Sequence, residues 1–450
     1  INNPKKDIKT EISFLNHFLL KRNIKKVKAK IILRDFSGNL IDEYFLNVEG
    51  ASTFSFDPCQ NIDGNFQGSV NISFNSKQNL GVPFCAVMGS IKTKNSVCSI
   101  HTYGRGLEDI EINSKLDLQR TKETGWTMRD NIGTKSFCVF HNGKYASELT
   151  FIIEVTNHNG KTFSRSFKKQ VNSFATEKII PQKLIPNLIE KLDGHYGHGK
   201  ISIGGLKGVF PRMMCGNFTH NEIEDSIDDS SELQFTHTNF DFSELNQPDA
   251  KGKFGFFNHP YLPDGSGIFY PVSTKKQISI YEEKYKSNSY HKFDIKPFQQ
   301  VKVYAENEKL PSRFVGASIG KWPNSELESE CSTGIIVEDY IMFPCHWHWG
   351  LVKPNFEKGS SIISIFFQNF HEKKPNDRLL NLRYFDKNGL LYEDNINISD
   401  NTMLNTNDIL DLDNSEGAVW YVLSGEKLED LSIFSTFLPN QKAGSCEHAF

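Results

Sequence analysis

Four copies of one pattern run through the sequence, and this internal repeat constrains the fold more than any other feature. Each copy begins with an aromatic segment and continues with a strand that ends in a glycine turn. The aromatic segments read ISFLNHF at 12–18, SFCVFHN at 136–142, FGFFNHP at 254–260 and ISIFFQNFH at 363–371. The glycines expected at the turns are Gly38, Gly160, Gly267 and Gly389. A pattern that recurs four times in the same order predicts one supersecondary unit used four times.

The pattern within each copy is typical of β-structure. Apolar and polar residues alternate in most of the segments, as in strands with one buried face. The 36 Phe and 14 Tyr residues also favour strands. A copy of about seven strands in roughly 100 residues has the size of an immunoglobulin-like sandwich. The sequence therefore predicts an all-β protein of four tandem immunoglobulin-like antiparallel β-sandwich repeats. The alternative is a closed, pseudo-symmetric assembly of the four copies around an axis.

The repeat also sets the expected domain boundaries. The four sandwich repeats are predicted at 11–103, 135–239, 252–348 and 361–450. Segment 104–134 is expected to be a linker or an insert between the first two repeats.

Composition argues against one class of partner, nucleic acid, and does not identify the cellular compartment. A net charge of −3 gives no general attraction to nucleic acid. No apolar run is long enough to predict a transmembrane segment. An extracellular or cell-surface location is favoured, and a homo-oligomer remains an option.

A histidine lies near the end of each repeat, and these histidines form the first candidate site. They are His101, His237, His346 or His348, and His448. If the repeats surround an axis, these imidazoles could converge on zinc, iron or copper. If the repeats form a row, each histidine makes only local hydrogen bonds, and no cofactor is expected.

The segment CHWHWG at 345–350 is the strongest local motif. His346 and His348 are two residues apart, so on a strand they share one face and could hold one metal ion. Trp347 and Trp349 would share the opposite face and could stack on a sugar ring or another flat ligand. The alternative is an aromatic strand end that packs on a neighbouring repeat.

Two further sets of residues occupy comparable positions in two of the repeats. Arg212 and Arg313 follow a proline in the two central copies, where a guanidinium could bind a carboxylate or sulfate. Cys85 with Cys98, and Cys331 with Cys345, flank one predicted hairpin and could form disulfides.

The sequence supports three hypotheses about function. The leading one is a non-enzymatic tandem β-sandwich protein that presents a binding surface for carbohydrate or a partner protein. The second is a metalloenzyme of hydrolase or oxygenase type, with the metal held by the repeated histidines. The third is a structural subunit of a larger assembly. No motif of a nucleophilic or nucleotide-binding enzyme occurs, which leaves catalysis uncertain.

Overall fold

The structure, a computed structural model, describes most of the chain. The described residues are 1–78, 86–101, 105–106, 120–128, 133–210, 213–220, 226–236, 239–240, 254–263, 267–269, 278–280, 282–285, 293–305, 310, 317–331, 333, 335–338, 344–370 and 377–450.

The first module shows the arrangement that recurs along the chain. Its elements are β1 Lys9–Leu15, α1 His17–Arg22, β2 Val27–Asp35, β3 Leu40–Val48, β4 Thr53–Phe56, β5 Gly68–Asn75, β6 Met88–Lys92 and β7 Val97–His101. One sheet has the strand order β4-β1-β6-β7, and the facing sheet has the order β3-β2-β5. We call them the inner and the outer sheet. Alternate residues of β2 (Val27, Ala29, Ile31 and Leu33) are buried against Phe14 of β1, which makes the module a sandwich.

The second module repeats this order after two connecting strands. The elements are β8 Arg105–Gly106, β9 Arg120–Met128, β10 Thr134–His141, β11 Ser147–Thr156, β12 Thr162–Val171, β13 Thr176–Ile179, α2 Pro181–Leu184, α3 Leu188–Leu192, β14 Gly197–Gly204, β15 Val209–Phe210, β16 Met214–Thr219, β17 Leu233–Thr236 and β18 Asn239–Phe240. The inner sheet is β13-β10-β16-β17 and the outer sheet is β12-β11-β14-β9-β18. Strand β9 lies inside the segment 104–134, so part of the expected linker is a strand of this outer sheet.

The third module has the shortest strands. They are β19 Phe254–His259, β20 Gly267–Phe269, β21 Ile278–Ile280, β22 Glu283–Tyr285, β23 Phe293–Ile295, β24 Gln299–Ala305, β25 Ser318–Lys321, β26 Glu328–Cys331 and β27 Ile336–Val337. The inner sheet is β23-β20-β25-β26 and the outer sheet is β22-β21-β24-β19-β27.

The fourth module matches the first strand for strand and adds one. Its strands are β28 Trp347–Lys353, β29 Gly359–Phe367, β30 Arg378–Asp386, β31 Gly389–Ile398, β32 Thr402–Asn405, β33 Val419–Ser424, β34 Leu431–Pro439 and β35 Ser445–His448. The inner sheet is β32-β29-β34-β35, and the added β28 joins the outer sheet β28-β33-β30-β31.

The prediction of an all-β protein built from β-sandwich repeats is confirmed. The described strands form antiparallel sheets of two to five strands, and none of these sheets closes into a barrel. The immunoglobulin-like connectivity stays a prediction. The longest helix of the described residues, α1, has 6 residues, too few to cross a lipid bilayer. Four short 3-10 helices complete the described elements: Pro4–Lys6, Ile227–Asp229, Thr406–Asp408 and Leu412–Asn414.

The assignment of the third copy from sequence was wrong. Segment 254–260 is predicted to be its first strand, but this segment forms β19, which pairs with β24 in the outer sheet. The position of β1 is occupied by β20, so Gly267 begins a strand and does not form a turn. The three other turn glycines, Gly38, Gly160 and Gly389, do have positive φ. The error has a physical cause, because alternation marks a half-buried strand without showing which sheet it joins.

The four modules meet at the last strands of their inner sheets, which we call the closing strands: β7, β17, β26 and β35. Each closing strand contacts those of two other modules, in the cyclic order β7, β17, β26, β35 and back to β7. The chain therefore forms a ring in which the first module packs on the fourth. This is the arrangement that the alternative reading of the repeat described.

Buried polar contacts join the modules of the ring. The carboxylate of Glu232, beside β17, accepts hydrogen bonds from the backbone N–H of Glu326 and Leu327 in the third module. Between the first and fourth modules, Val97 N–H donates to the carbonyl of Ala443 at 2.8 Å. Thr53 Oγ1 donates to the carbonyl of Ala418 at 2.7 Å across the same boundary. Because these groups lie away from water, their pairing fixes how the modules sit against one another.

The boundary between the first and fourth modules also buries a carboxyl group. Glu11 of β1 is 4% exposed and accepts a hydrogen bond from Asn355 N–H at 2.9 Å. Burial raises the pKa of Glu11 to about 7. The ring therefore holds this side chain mostly in its neutral form below about pH 7.

We predict that Glu11 makes ring stability depend on pH. The pKa of Glu11 in the folded protein lies above its usual value, so its stabilising contribution is complete below about pH 4.5 and is lost as the pH rises through about 7. Across that window the wild type should lose roughly 3 kcal/mol of unfolding free energy relative to Glu11→Gln. Urea denaturation of both proteins at several pH values measures this. The exposed Glu49→Gln serves as the control, and a difference between wild type and Glu11→Gln that does not change with pH contradicts the prediction.

Candidate functional site

The structure separates the residues that the sequence grouped into sites. Arg212, Arg313 and His237 lie outside the described residues. His101 and His448 are on closing strands, whereas His346 immediately precedes β28 and His348 lies in it, in the outer sheet of the fourth module. The closing strand of the third module is β26, which contains no histidine. The equivalence of His346 or His348 with the other repeat-ending histidines was therefore wrong, as a consequence of the misassigned third copy.

His101 and His448 do come together, where the first and fourth modules meet. Their ring centroids are 5.0 Å apart, and both rings contact Phe450. Nδ1 of His101 lies 3.5 Å from a carboxylate oxygen of Glu447, and both side chains are buried. In the part of the chain that the structure describes, no three His, Cys, Asp or Glu side chains are grouped closely enough to hold a metal ion. Metal binding by these histidines stays a prediction.

His346 and His348 each contact a backbone carbonyl of the loop before β34. His346 Nδ1 lies 3.3 Å from the carbonyl oxygen of Gly425, and His348 Nε2 lies 3.2 Å from that of Leu428. These contacts lie within the fourth module and fit the alternative in which each histidine makes only local hydrogen bonds.

The two tryptophans of the segment are covered. Trp349 is 8% exposed and stacks on His17 of α1 at a centroid distance of 5.7 Å. The ammonium of Lys21 lies 4.7 Å from the Trp349 ring centroid. Trp347 is half-buried beneath the Arg383 guanidinium, 4.8 Å from its centroid. Trp349 therefore does not offer the open stacking platform expected from the sequence, because it is part of the contact between the first and fourth modules.

The predicted disulfide between Cys331 and Cys345 is absent. Cys331 is a buried free thiol that packs with Cys446 between the third and fourth modules. Cys345 is a free thiol beside His348. Cys98 is also a free thiol, and its expected partner Cys85 lies outside the described residues.

A pocket that the sequence did not reveal lies between the third and fourth modules. Its volume is about 350 Å³, and we call it the inter-module pocket. The lining residues are Phe256, Gln300, Lys302, Phe367, Asn369, Asp400 and Asn401. Phe256, Gln300 and Lys302 come from β19 and β24 of the third module. The other four come from the end of β29 and the turn before β32 in the fourth module.

Hydrogen bonds hold the wall of the pocket in place. Gln300 Nε2 donates to Asn258 Oδ1 at 2.8 Å and to the carbonyl of Phe367 at 2.9 Å, so it bridges the two modules. Phe367 N–H donates to Asn401 Oδ1 at 2.9 Å. Asn401 N–H in turn donates to Asp400 Oδ1 at 2.7 Å. The polar lining is therefore positioned by contacts within the protein before any ligand arrives.

One charge of each sign faces the pocket. The ammonium of Lys302 lies over the ring of Phe254, 4.6 Å from its centroid. Phe254 packs against Phe370 at 5.7 Å. Neither Lys302 nor Asp400 forms an ion pair with another described residue. Both charged groups are consequently available to a ligand.

We predict that Trp349 contributes more than Trp347 to the unfolding free energy of the protein. Trp349→Ala should lower the unfolding free energy by about 3–5 kcal/mol, because it leaves a cavity between two modules. Trp347→Ala is the matched control and should cost less, since its indole is half-exposed. Urea denaturation followed by far-UV circular dichroism gives both values. Equal losses in the two variants would show that Trp349 has no special place at the boundary.

Comparison of the chain with known proteins gives no family to which it can be assigned. No protein-family model matches the chain, and a search of curated proteins finds no significant match. Its function has to be inferred from the geometry of the inter-module pocket and of the segment 345–349.

Proposed function

We propose that the chain is a non-enzymatic tandem β-sandwich protein that binds carbohydrate in the inter-module pocket. The observation that carries this proposal is the lining of that pocket, which combines amide, carboxylate and ammonium groups with two phenylalanines. We assign the binding surface expected from the sequence to this pocket, because Trp349 is covered by the first module.

The size and chemistry of the pocket suit a sugar. A volume of about 350 Å³ is at the lower end of ligand pockets and has room for one or two sugar rings. Hydroxyl groups donate and accept hydrogen bonds, so they can pair with the Asp400 carboxylate and the Lys302 ammonium at the same time. The phenylalanine rings supply apolar surface for the C–H face of a sugar.

The same lining argues for binding over glycoside hydrolysis. Hydrolysis of a glycosidic bond normally needs two carboxyl groups on opposite sides of the bond. Asp400 is the one carboxylate among the described residues that line the pocket. A metal-dependent reaction would need a ligand set, and the described residues supply no group of three.

A partner protein is the second candidate ligand, and a different surface favours it. The outer sheets of the first and fourth modules end in the edge strands β3 and β31. These edges expose Ile41, Phe45, Leu390 and Leu391 to solvent. Exposed apolar side chains beside unpaired strand edges are suited to protein contacts, including contacts with a second copy of this chain.

We predict that Asp400 carries much of the affinity for carbohydrate. A glycan array identifies a bound oligosaccharide, and calorimetry then measures its affinity for the variants. Asp400→Ala should weaken binding roughly tenfold to a hundredfold, because it removes a charged hydrogen-bond acceptor. Lys302→Met should weaken it in the same direction.

Asp394→Ala is a matched control. Asp394 also precedes an asparagine and accepts a hydrogen bond from its backbone N–H at 2.7 Å, but it is exposed on β31, away from the pocket. Its substitution should leave affinity unchanged. The proposal is wrong if no glycan binds, or if one binds equally well to wild type and Asp400→Ala.

A further inference from the structure

We propose that Cys345 is a reactive thiol and a site of covalent modification by thiol–disulfide exchange with small disulfides. The site consists of Cys345, His348 and Lys21, and it lies where β28 meets the first module. It is distinct from the inter-module pocket and does not depend on carbohydrate binding.

Cys345 is the most accessible cysteine of the described residues. The other six (Cys59, Cys98, Cys138, Cys215, Cys331 and Cys446) are buried, whereas Cys345 is partly exposed. A disulfide reagent has to reach the sulfur before exchange can occur. The fold therefore shields six of the described thiols from solvent and leaves Cys345 accessible to a reagent.

The neighbouring imidazole is placed to stabilise a thiolate. Sγ of Cys345 lies 3.7 Å from Nε2 of His348. The same Nε2 faces the carbonyl oxygen of Leu428 at 3.2 Å, and a carbonyl only accepts hydrogen bonds. Nε2 therefore carries the hydrogen, and His348 can share it with the sulfur. In this tautomer His348 acts as a donor to the thiolate and does not take the proton of the thiol.

The other ring nitrogen of His348 makes no competing contact. Nδ1 of His348 is buried and has no hydrogen-bond partner among the described residues. The contacts of the His348 ring with Cys345 and Leu428 are therefore both made through Nε2.

The charges around the sulfur favour its ionised form overall. Burial by itself raises the pKa of Cys345, but the hydrogen bond and charge interaction with His348, a hydrogen bond with the Trp347 backbone and the Lys21 charge outweigh it, so that the pKa is lowered. Lys21 is held in place over the Trp349 ring. Glu429 is the nearby acidic group, and its carboxylate accepts a hydrogen bond from Cys345 N–H at 3.2 Å.

The exchange needs only the Cys345 thiolate and the small disulfide. The Cys345 thiolate attacks one sulfur of a small disulfide R–S–S–R, and a new S–S bond forms as the old one breaks. The proton of the Cys345 thiol is lost to water beforehand, and the departing R–S⁻ takes the electron pair and stays ionised or takes up a proton according to its own pKa. The small disulfide is the oxidant, and Cys345 ends as a mixed disulfide.

The test uses the native full chain and an aromatic disulfide, 5,5′-dithiobis(2-nitrobenzoate), whose released thiolate is coloured. One equivalent should react rapidly and should be absent in Cys345→Ser. The apparent pKa of this rapid phase should lie below the usual 8.5 of a free cysteine. His348→Ala and Lys21→Met should each raise that pKa and slow the reaction at neutral pH by about threefold to tenfold, because the thiolate fraction falls.

Cys446→Ser is the control variant, because it removes a buried thiol and should leave the rapid equivalent in place. Circular dichroism establishes that each variant is folded before it is compared. Two results would overturn the proposal. One is a rapid equivalent that persists in Cys345→Ser, and the other is an apparent pKa that neither His348→Ala nor Lys21→Met changes.

Discussion

The contact between the first and the last module is the constraint on which the rest of the structure depends. A row of β-sandwiches would leave each module with its own core and little else. Here the four closing strands contact one another in a cycle, and the contact of β35 with β7 completes it. The apolar part of this last boundary includes Trp349, Trp420 and Met88, which come from both ends of the chain. Burial of these side chains repays the entropy lost when distant segments are brought together.

Both candidate sites are products of this ring. The inter-module pocket exists because the turn before β32 meets the outer sheet of the third module. Cys345 and His348 are close to Lys21 because β28 packs beside α1 of the first module. Neither arrangement would be present in an isolated module. The repeat therefore supplies the framework, and the contacts between its copies supply the chemistry.

The class of fold could be predicted from the sequence, but the sheet to which each strand belongs could not. Alternation in segments such as 29–40 and 380–391 predicted β2 and β30, because one face of each strand is buried in a sandwich. The same alternation in 254–260 led to the wrong strand assignment, since periodicity does not identify the partner strand. That error carried over to His346 and His348, which were matched with histidines of closing strands.

The candidate sites could not be predicted from short sequence motifs, because packing between modules brings their residues together. Lys302 and Asp400 are almost a hundred positions apart, and only the packing of two modules brings them to one pocket. Trp349 looked available for stacking because its burial depends on α1, which lies far away in the chain. Cys345 was visible within CHWHWG, but its contact with His348 depends on how the chain enters β28.

Small-angle X-ray scattering tests the central claim, ring closure, most directly. A compact chain of 450 residues should have a radius of gyration of about 22–25 Å. Four sandwiches in a row, each with a radius of gyration of about 13 Å, would give about 40 Å. A monomer near the lower value would agree with four modules that close on themselves. A monomer near the higher value would show that the first and fourth modules do not meet, and the site of Cys345, His348 and Lys21 would then lose its basis.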